Sequence, residues 1–231
     1  MMRESDFERT FAVWNASNKC KHFINNKLLD LRAMYAEIDR PEITGARNLN
    51  ELAVLRNWPV WCDVSCRFTI KKLDDLHALW RSKAGPSRIP ARSEMTARLL
   101  KPYLAMLAFH ERVSGPGGTR RYRVRLMGEE ICDVAGAASR KFYDEFLPEN
   151  SVPIWNAMTD AVLAHGKPVR MVIRADELNK PYLVGELFAG PLLAGDGTPR
   201  IVLTAGHFEG NRHFEDFLAE RCKPRLAEPA Q

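Results

Sequence analysis

The sequence predicts an α+β fold, an antiparallel sheet with helices packed on one face. Three observations predict it. The stretch RRYRVRLMG (Arg120–Gly128) alternates with period 2, which sets Tyr122, Val124 and Leu126 on one face and Arg121, Arg123 and Arg125 on the other. LDDLHALWRSKA carries Leu73, Leu76, Leu79 and Trp80 at helical spacing, so one stripe of that segment is apolar. The elements then follow in the order helix, two strands, short helices with one longer helix, three strands.

The totals are those of a globular protein. The chain has 231 residues, 45% of them hydrophobic and 27% charged, enough to bury a core. Its net charge of +5 is weak evidence for a polyanion partner. The distribution is more informative. Lys71–Gly128 holds 13 Lys/Arg against 4 Asp/Glu, whereas Glu129–Gln231 holds 11 against 16, so the two halves can compensate each other. Cys20, Cys62, Cys66, Cys132 and Cys222 are odd in number and irregularly spaced, which argues against a disulfide framework. Cys62-x-x-x-Cys66 has no second Cys/His pair nearby, so no metal site is expected. The start, MMRESDFERT, has no apolar h-region, and no apolar run approaches the roughly 20 residues of a membrane span. A cytoplasmic protein without a membrane segment is expected.

Residues 1–68 read as an N-terminal extension, either a poorly ordered arm or a stretch upstream of the true start. Helical pieces are expected around 23–38, interrupted by Pro41, Gly45 and Asn48, and NWPVWCDVSC has neither helical nor strand period. The domain is expected over 69–215 and to fold without the extension, with 216–231 as a C-terminal tail. The amphipathic helix with Trp80 is closed by Gly85. Met95–Leu104 is a helical turn broken at Pro102, and Leu104–Val113 is the first strand. SGPGGT turns the chain into the Arg120–Gly128 strand. GEEICDVAG is a short helix, and SRKFYDEFLPEN is a loop with aromatic anchors. Asn150 or Ser151 caps the longer helix, whose stripe is Ile154, Trp155, Met158, Ala161 and Val162, and His165–Gly166 ends it. Val169–Arg174, Tyr182–Leu193 and Arg200–Phe208 are the last strands, separated by turns at 179–181 and 195–197.

That order is the order of the PAS fold. Trp80-Arg81, then Pro90-Ala91-Arg92, then Pro102, then Arg125-Leu126-Met127-Gly128 and KFYDEFLPE resemble a bacterial family of short, stand-alone PAS-type proteins, over about Leu73–Phe214. The resemblance implies a five-stranded antiparallel sheet cupped over helices, preceded by an N-terminal helix through which such domains often form homodimers. It implies a sensor or adaptor without catalysis, with a small ligand in the cup. No kinase motif or helix-turn-helix is recognisable, so a signal would pass to a separate protein partner. The resemblance also implies a fixed role for Arg125, pinning a carbonyl or carboxylate beside Gly128.

Facing apolar positions inward, the cup is expected to be lined by Tyr122, Val124, Leu126, Phe142, Trp155, Met158, Met171, Ile173 and Leu203. A closed core without a ligand is the plainer alternative, and the sequence leaves any cofactor unknown. His165 is a lone helix-terminal histidine and His207-x5-His213 lacks a third ligand, so haem and metal are disfavoured. The Asn-Cys-Arg motif of flavin photosensors is absent, and so is Gly-x-Ser-x-Gly. The arginine strip is expected to be a solvated face or to pair with the acidic half. Nucleic acid is disfavoured because no aromatic residue shares that face to stack bases. The alternatives to a sensor are a small-molecule enzyme and a nucleic-acid-binding regulator using the basic half.

Overall fold

The computed structural model describes residues 44–210 apart from 85–87, 115–118, 176–177 and 179. These residues belong to the compact unit Glu42–Gln231. The helical pieces expected around 23–38, the closing Gly85, the tip of SGPGGT, His213 and the tail 216–231 lie outside the described residues.

Among the described residues six antiparallel strands form one sheet: β1 (Val60–Asp63), β2 (Leu107–Ser114), β3 (Arg120–Met127), β4 (Val169–Ala175), β5 (Lys180–Leu193) and β6 (Pro199–Gly210). Their spatial order is β1-β4-β5-β6-β2-β3. The α+β class and the antiparallel sheet stand as expected, with one strand more than the five expected. The additional strand, β1, comes from NWPVWCDVSC, and it pairs Val60–Asp63 with Arg170–Ile173. It is short and turns only Val60 and Cys62 inward, too brief a pattern to show a period. Asn50 closes its outer edge. The side-chain amide donates to the Cys62 carbonyl at 2.8 Å, and the Cys62 N–H donates to Asn50 Oδ1 at 2.7 Å. An edge strand blocked in this way offers no template for further pairing.

Asn50 sits on α1 (Thr44–Arg56), which runs straight through Gly45 and Asn48. Those residues do not interrupt the helix as the sequence led us to expect. A Cβ at Gly45 would stand 2.5 Å from the Ala161 carbonyl oxygen, so the absent side chain is what lets α1 lie against the long helix. Ala46, Leu49 and Ala53 are buried there. The boundary expected at 68 therefore cuts through packed structure: α1 and β1 share one core with α6 and the sheet.

The helices that follow the second expected strand pack on one face as expected, and the N-terminal helix that precedes the expected strands packs on the other. On one side lie α1, α5 (Tyr143–Phe146) and α6 (Val152–His165), with α4 (Glu129–Ala135) setting Ile131 beside Gly206 of β6. On the other, α2 (Lys71–Ala84) buries Leu73, Leu76 and Trp80 against Phe109, Phe188, Leu192 and Leu203. The Trp80 indole donates to the Pro191 carbonyl at 3.0 Å, fixing the helix along β5. The N-terminal end of α2 is held by Glu186, whose carboxylate accepts from the Thr69 and Ile70 N–H groups. Glu186 is paired with Arg170, and both are buried on this face.

Between α2 and the sheet, α3 (Ala97–Leu100) passes into a 3-10 turn over Lys101–Met106 that takes in Pro102, so β2 begins at Leu107 and not at Leu104. α6 ends at Gly166, whose φ of +70° makes it the left-handed C-cap. The turn after β5 is closed by Asp196, which accepts from the Thr198 N–H.

Candidate functional site

The space between α6 and the sheet is the cup, and its centre is polar. His110 on β2 points into it, and the imidazole is 2% exposed. One ring nitrogen, Nδ1, bonds with Tyr143 Oη on α5 at 2.8 Å, and Nε2 bonds with Thr204 Oγ1 on β6 at 2.9 Å. Tyr143 Oη also bonds with Thr159 Oγ1 on α6 at 3.0 Å. The Thr159 hydroxyl reaches the Trp155 carbonyl at 2.8 Å, and the Thr204 hydroxyl reaches the Ala108 carbonyl at 3.4 Å. A continuous chain of polar groups thus runs from the sheet to the long helix. Protons satisfy it in two directions, ending on one carbonyl or the other; the shorter contact favours the direction toward Trp155.

Every member of that chain is uncharged. Burial pushes His110 down from 6.5 to about 4, because an imidazolium would lose its hydration. Burial likewise raises the Tyr143 phenol above the ordinary range. A second tyrosine carries the chain toward the rim. Tyr122 stacks on Tyr143, with ring centres 5.5 Å apart, and donates to Asp160 on α6 at 2.5 Å. Arg120 meets the same carboxylate at 3.3 Å. Consecutive residues of α6, Thr159 and Asp160, therefore hold the two stacked tyrosines.

Around the chain, Met158, Met171, Val162, Leu187, Ala189 and Val202 fill the cup, leaving a cavity of about 10 Å³. That is the room of a single water molecule. A second hollow of the same size lies toward Pro59 and Phe208, between Trp155 and Ile173.

The expected lining divides. Tyr122, Val124, Met158, Met171 and Ile173 are buried in the core on the cup side, and Trp155 packs against it half-buried. Three residues are elsewhere. Leu126 is 38% exposed on the opposite face. Its strand carries a bulge: Phe109 pairs with Leu126 and His110 with Val124, so Arg125 is skipped and the alternation inverts. Met127 packs on the cup-side core instead. Leu203 belongs to the core under α2. In β6, Ile201, Val202 and Leu203 are all buried, and such a run gives no clue to which parity faces the cup. Phe142 is half-buried outside the cup, with the Arg121 guanidinium 3.9 Å over its ring; its neighbour Tyr143 points inward in its place.

His110, Tyr143, Thr159 and Thr204 were not in the expected lining. The available signal was in LAFHERVS, where a lone histidine interrupts an apolar strand at the parity of Ala108. Arg125, expected to pin a carbonyl or carboxylate, faces the Glu111 carboxylate at 3.8 Å with its side chain half exposed, a looser contact than a fixed hydrogen bond. Arg121 and Arg123 do pair with acids, at Asp144 and Glu111. Among the described residues no group of His, Cys, Asp and Glu is placed to hold a metal, and no helix is long and apolar enough to cross a membrane.

Comparison with known proteins agrees with this architecture. The PAS domain family model matches residues 69–205. No curated protein matches. Among solved structures, an RNA-binding light-oxygen-voltage receptor aligns with 14% sequence identity and a TM-score of 0.38, covering 59% of this chain and 40% of the receptor. The chain thus spans less than half the length of that receptor. With the family match running over more than half of the chain, from just before α2 into β6, the chain belongs to the PAS domain family.

Proposed function

We propose that the chain is a non-enzymatic sensory adaptor: a small uncharged ligand or a change of protonation in the cup alters how α6 sits on the sheet, and a separate protein reads the change. One observation carries this reading. The His110–Tyr143–Thr159 chain joins β2 to α6 through the middle of the cup, so a group that breaks or replaces one bond acts on both elements. Support for an uncharged occupant comes from the lining, which has no charged side chain around the central cavity. The cavity is small, and admitting a ligand larger than water requires Met158 or Met171 to move, which unbranched thioether side chains do readily. A role without catalysis is supported by His110, whose two ring nitrogens are both engaged by neighbouring hydroxyls.

We take homodimerisation through α2 from the family resemblance. The solvent side of that helix carries Lys71, Lys72, Asp74, Asp75 and Arg81, a polar surface suited to a reversible dimer. Light scattering on the full chain at rising concentration checks it. The cup is tested by native mass spectrometry of the full chain purified from its expression host. A bound mass that disappears in Met158→Trp, which fills the cup, supports the reading. A mass retained in that variant, or no mass and no change in α6 hydrogen exchange on titrating His110, overturns it.

A further inference from the structure

We propose that the outer corner of the sheet formed by β2, β3 and β6 docks an acidic, leucine-bearing segment of a partner protein. The proposal rests on the adaptor reading, because it names the surface through which such a chain would act. Its starting point is Glu111, a buried carboxylate on the face of β2 opposite His110. Arg123 meets it at 2.9 Å, Arg200 at 3.6 Å and Arg125 at 3.8 Å. Arg92 joins them from the loop before α3, its guanidinium 4.1 Å over the Phe109 ring and donating to the Met95 carbonyl. Burial first, and the Arg125 charge after it, disfavour the charged Arg92 head. Among the described residues the other carboxylate in contact with this group is Asp196, on Arg200. Four guanidinium groups thus stand against two carboxylates.

The chemistry of that imbalance points outward. Each guanidinium has five N–H donors, and a carboxylate accepts about four hydrogen bonds, so most of the donors on this corner are left to solvent. Glu111 bonds the Arg123 head and gathers those of Arg125 and Arg200 nearby by charge before any partner arrives, which favours binding of a further carboxylate there. Arginine forks match carboxylates in pairs, and arginine is enriched where proteins meet proteins. Apolar surface adjoins the charge. Leu126 follows Arg125 in β3, and Leu104, 40% exposed, lies in the turn whose carbonyl backs onto Gly128. A protein segment with both acids and leucines satisfies charge and apolar surface together. Nucleic acid fits less well, because Phe109 at this corner is buried beneath Arg92, and Phe142, bridged to Arg123, already carries the Arg121 guanidinium over its ring.

The test uses the full chain and a fluorescein-labelled peptide of glutamate and leucine, with the leucines at helical spacing. A scrambled peptide of the same composition and an oligothymidylate of similar charge are run beside it. Binding of the patterned peptide is expected to weaken with salt. It is expected to weaken about tenfold in the double variant Arg123→Gln/Arg125→Gln and several-fold in Leu126→Ser. Arg121→Gln, whose partner is Asp144, is expected to leave binding unchanged, and Arg123→Lys/Arg125→Lys to fall between, since the charge stays and the fork is lost. Circular dichroism of each variant separates lost binding from lost fold. Equal binding of the scrambled peptide, indifference to the double variant, or tighter capture of the oligothymidylate at the same arginines overturns the proposal. None of these outcomes touches the cup, whose own test is bound mass, so the docking surface and the sensory reading fail separately.

Discussion

On the cup side of the sheet, His110, Tyr143, Thr159 and Thr204 are buried as neutral groups bonded to one another, whereas on the outer side Arg170 and Glu186 are buried as ions bonded to each other. The two faces solve the same problem, polar atoms away from water, by different means. Neutral chains tolerate rearrangement, because each hydroxyl can turn and pass its proton the other way. A buried ion pair does not, since separating the charges leaves one of them desolvated. The outer face therefore fixes α2 to the sheet, while the cup joins α6 to the sheet partly through neutral hydroxyl and imidazole contacts. On the sensory reading proposed above, the same sheet carries an anchor on one side and an adjustable joint on the other.

The largest test of this contrast removes part of the joint's support. Deleting residues 1–68 strips α1 and β1, and with them Ala46, Leu49, Ala53, Val60 and Cys62 of the cup-side core. Loss of the cooperative thermal transition is expected, in place of the independently folding 69–215 segment that the sequence suggested. A sharp transition in the truncated chain would show that the cup side is complete without α1.

Next in size is the anchor. Glu186→Ala removes the carboxylate bonded to Arg170, a side chain at 0% exposure, and frees the Thr69 and Ile70 N–H groups. A loss of about 3–5 kcal/mol is expected from the denaturant midpoint, the usual cost of breaking a buried pair. Replacing both partners, Arg170→Met with Glu186→Leu, is expected to recover much of that loss. If the single variant is as stable as the parent, the outer face is no anchor.

The cup gives a smaller effect with a definite pH sign. His110 titrates near 4 when folded and near 6.5 when unfolded, so the unfolded chain binds the extra proton first. Its contribution is complete above pH 6.5 and is lost as pH falls through that window toward about 4. Following the His110 imidazole by NMR checks the assignment directly. Tyr143→Phe removes the hydroxyl on Nδ1 and is expected to cost about 1–3 kcal/mol, with the His110 titration moved. An unmoved titration would mean that the chain through Tyr143 is not what holds the imidazole.

Legibility in the sequence followed the same division. Segments with one wet face showed their parity: Tyr122 and Val124 against Arg121 and Arg123 in β3, and Leu73, Leu76 and Trp80 in α2. Segments without a wet face did not, and Leu203 in β6 was placed on the wrong side for that reason. Leu126 was lost to a bulge, which no propensity in RRYRVRLMG announces. Gly45 reads as a breaker until the carbonyl of Ala161 is seen beside it, a contact between residues more than a hundred apart. The polar chain was the least legible. Its four members come from β2, α5, α6 and β6, and each alone is an ordinary His, Tyr or Thr.

The smallest effect is expected at the arginines that first marked the outer face. Arg121 bonds to Asp144 through Nη2 at 2.7 Å, and Arg123 to Glu111 at 2.9 Å, but Arg121 stands at the rim and Arg123 is nearly half exposed. Exposed pairs contribute little, because water screens the attraction and long side chains lose freedom in making it. Glu111 also keeps Arg125 and Arg200 when Arg123 is removed, so its buried carboxylate is not stranded. Arg121→Gln with Arg123→Gln is therefore expected to shift stability by less than about 1 kcal/mol in a denaturant titration. A much larger loss would mean that Glu111 depends on Arg123 as strictly as Arg170 depends on Glu186. The outer corner would then be a second anchor, and its arginines would be committed to the fold and unable to serve a partner.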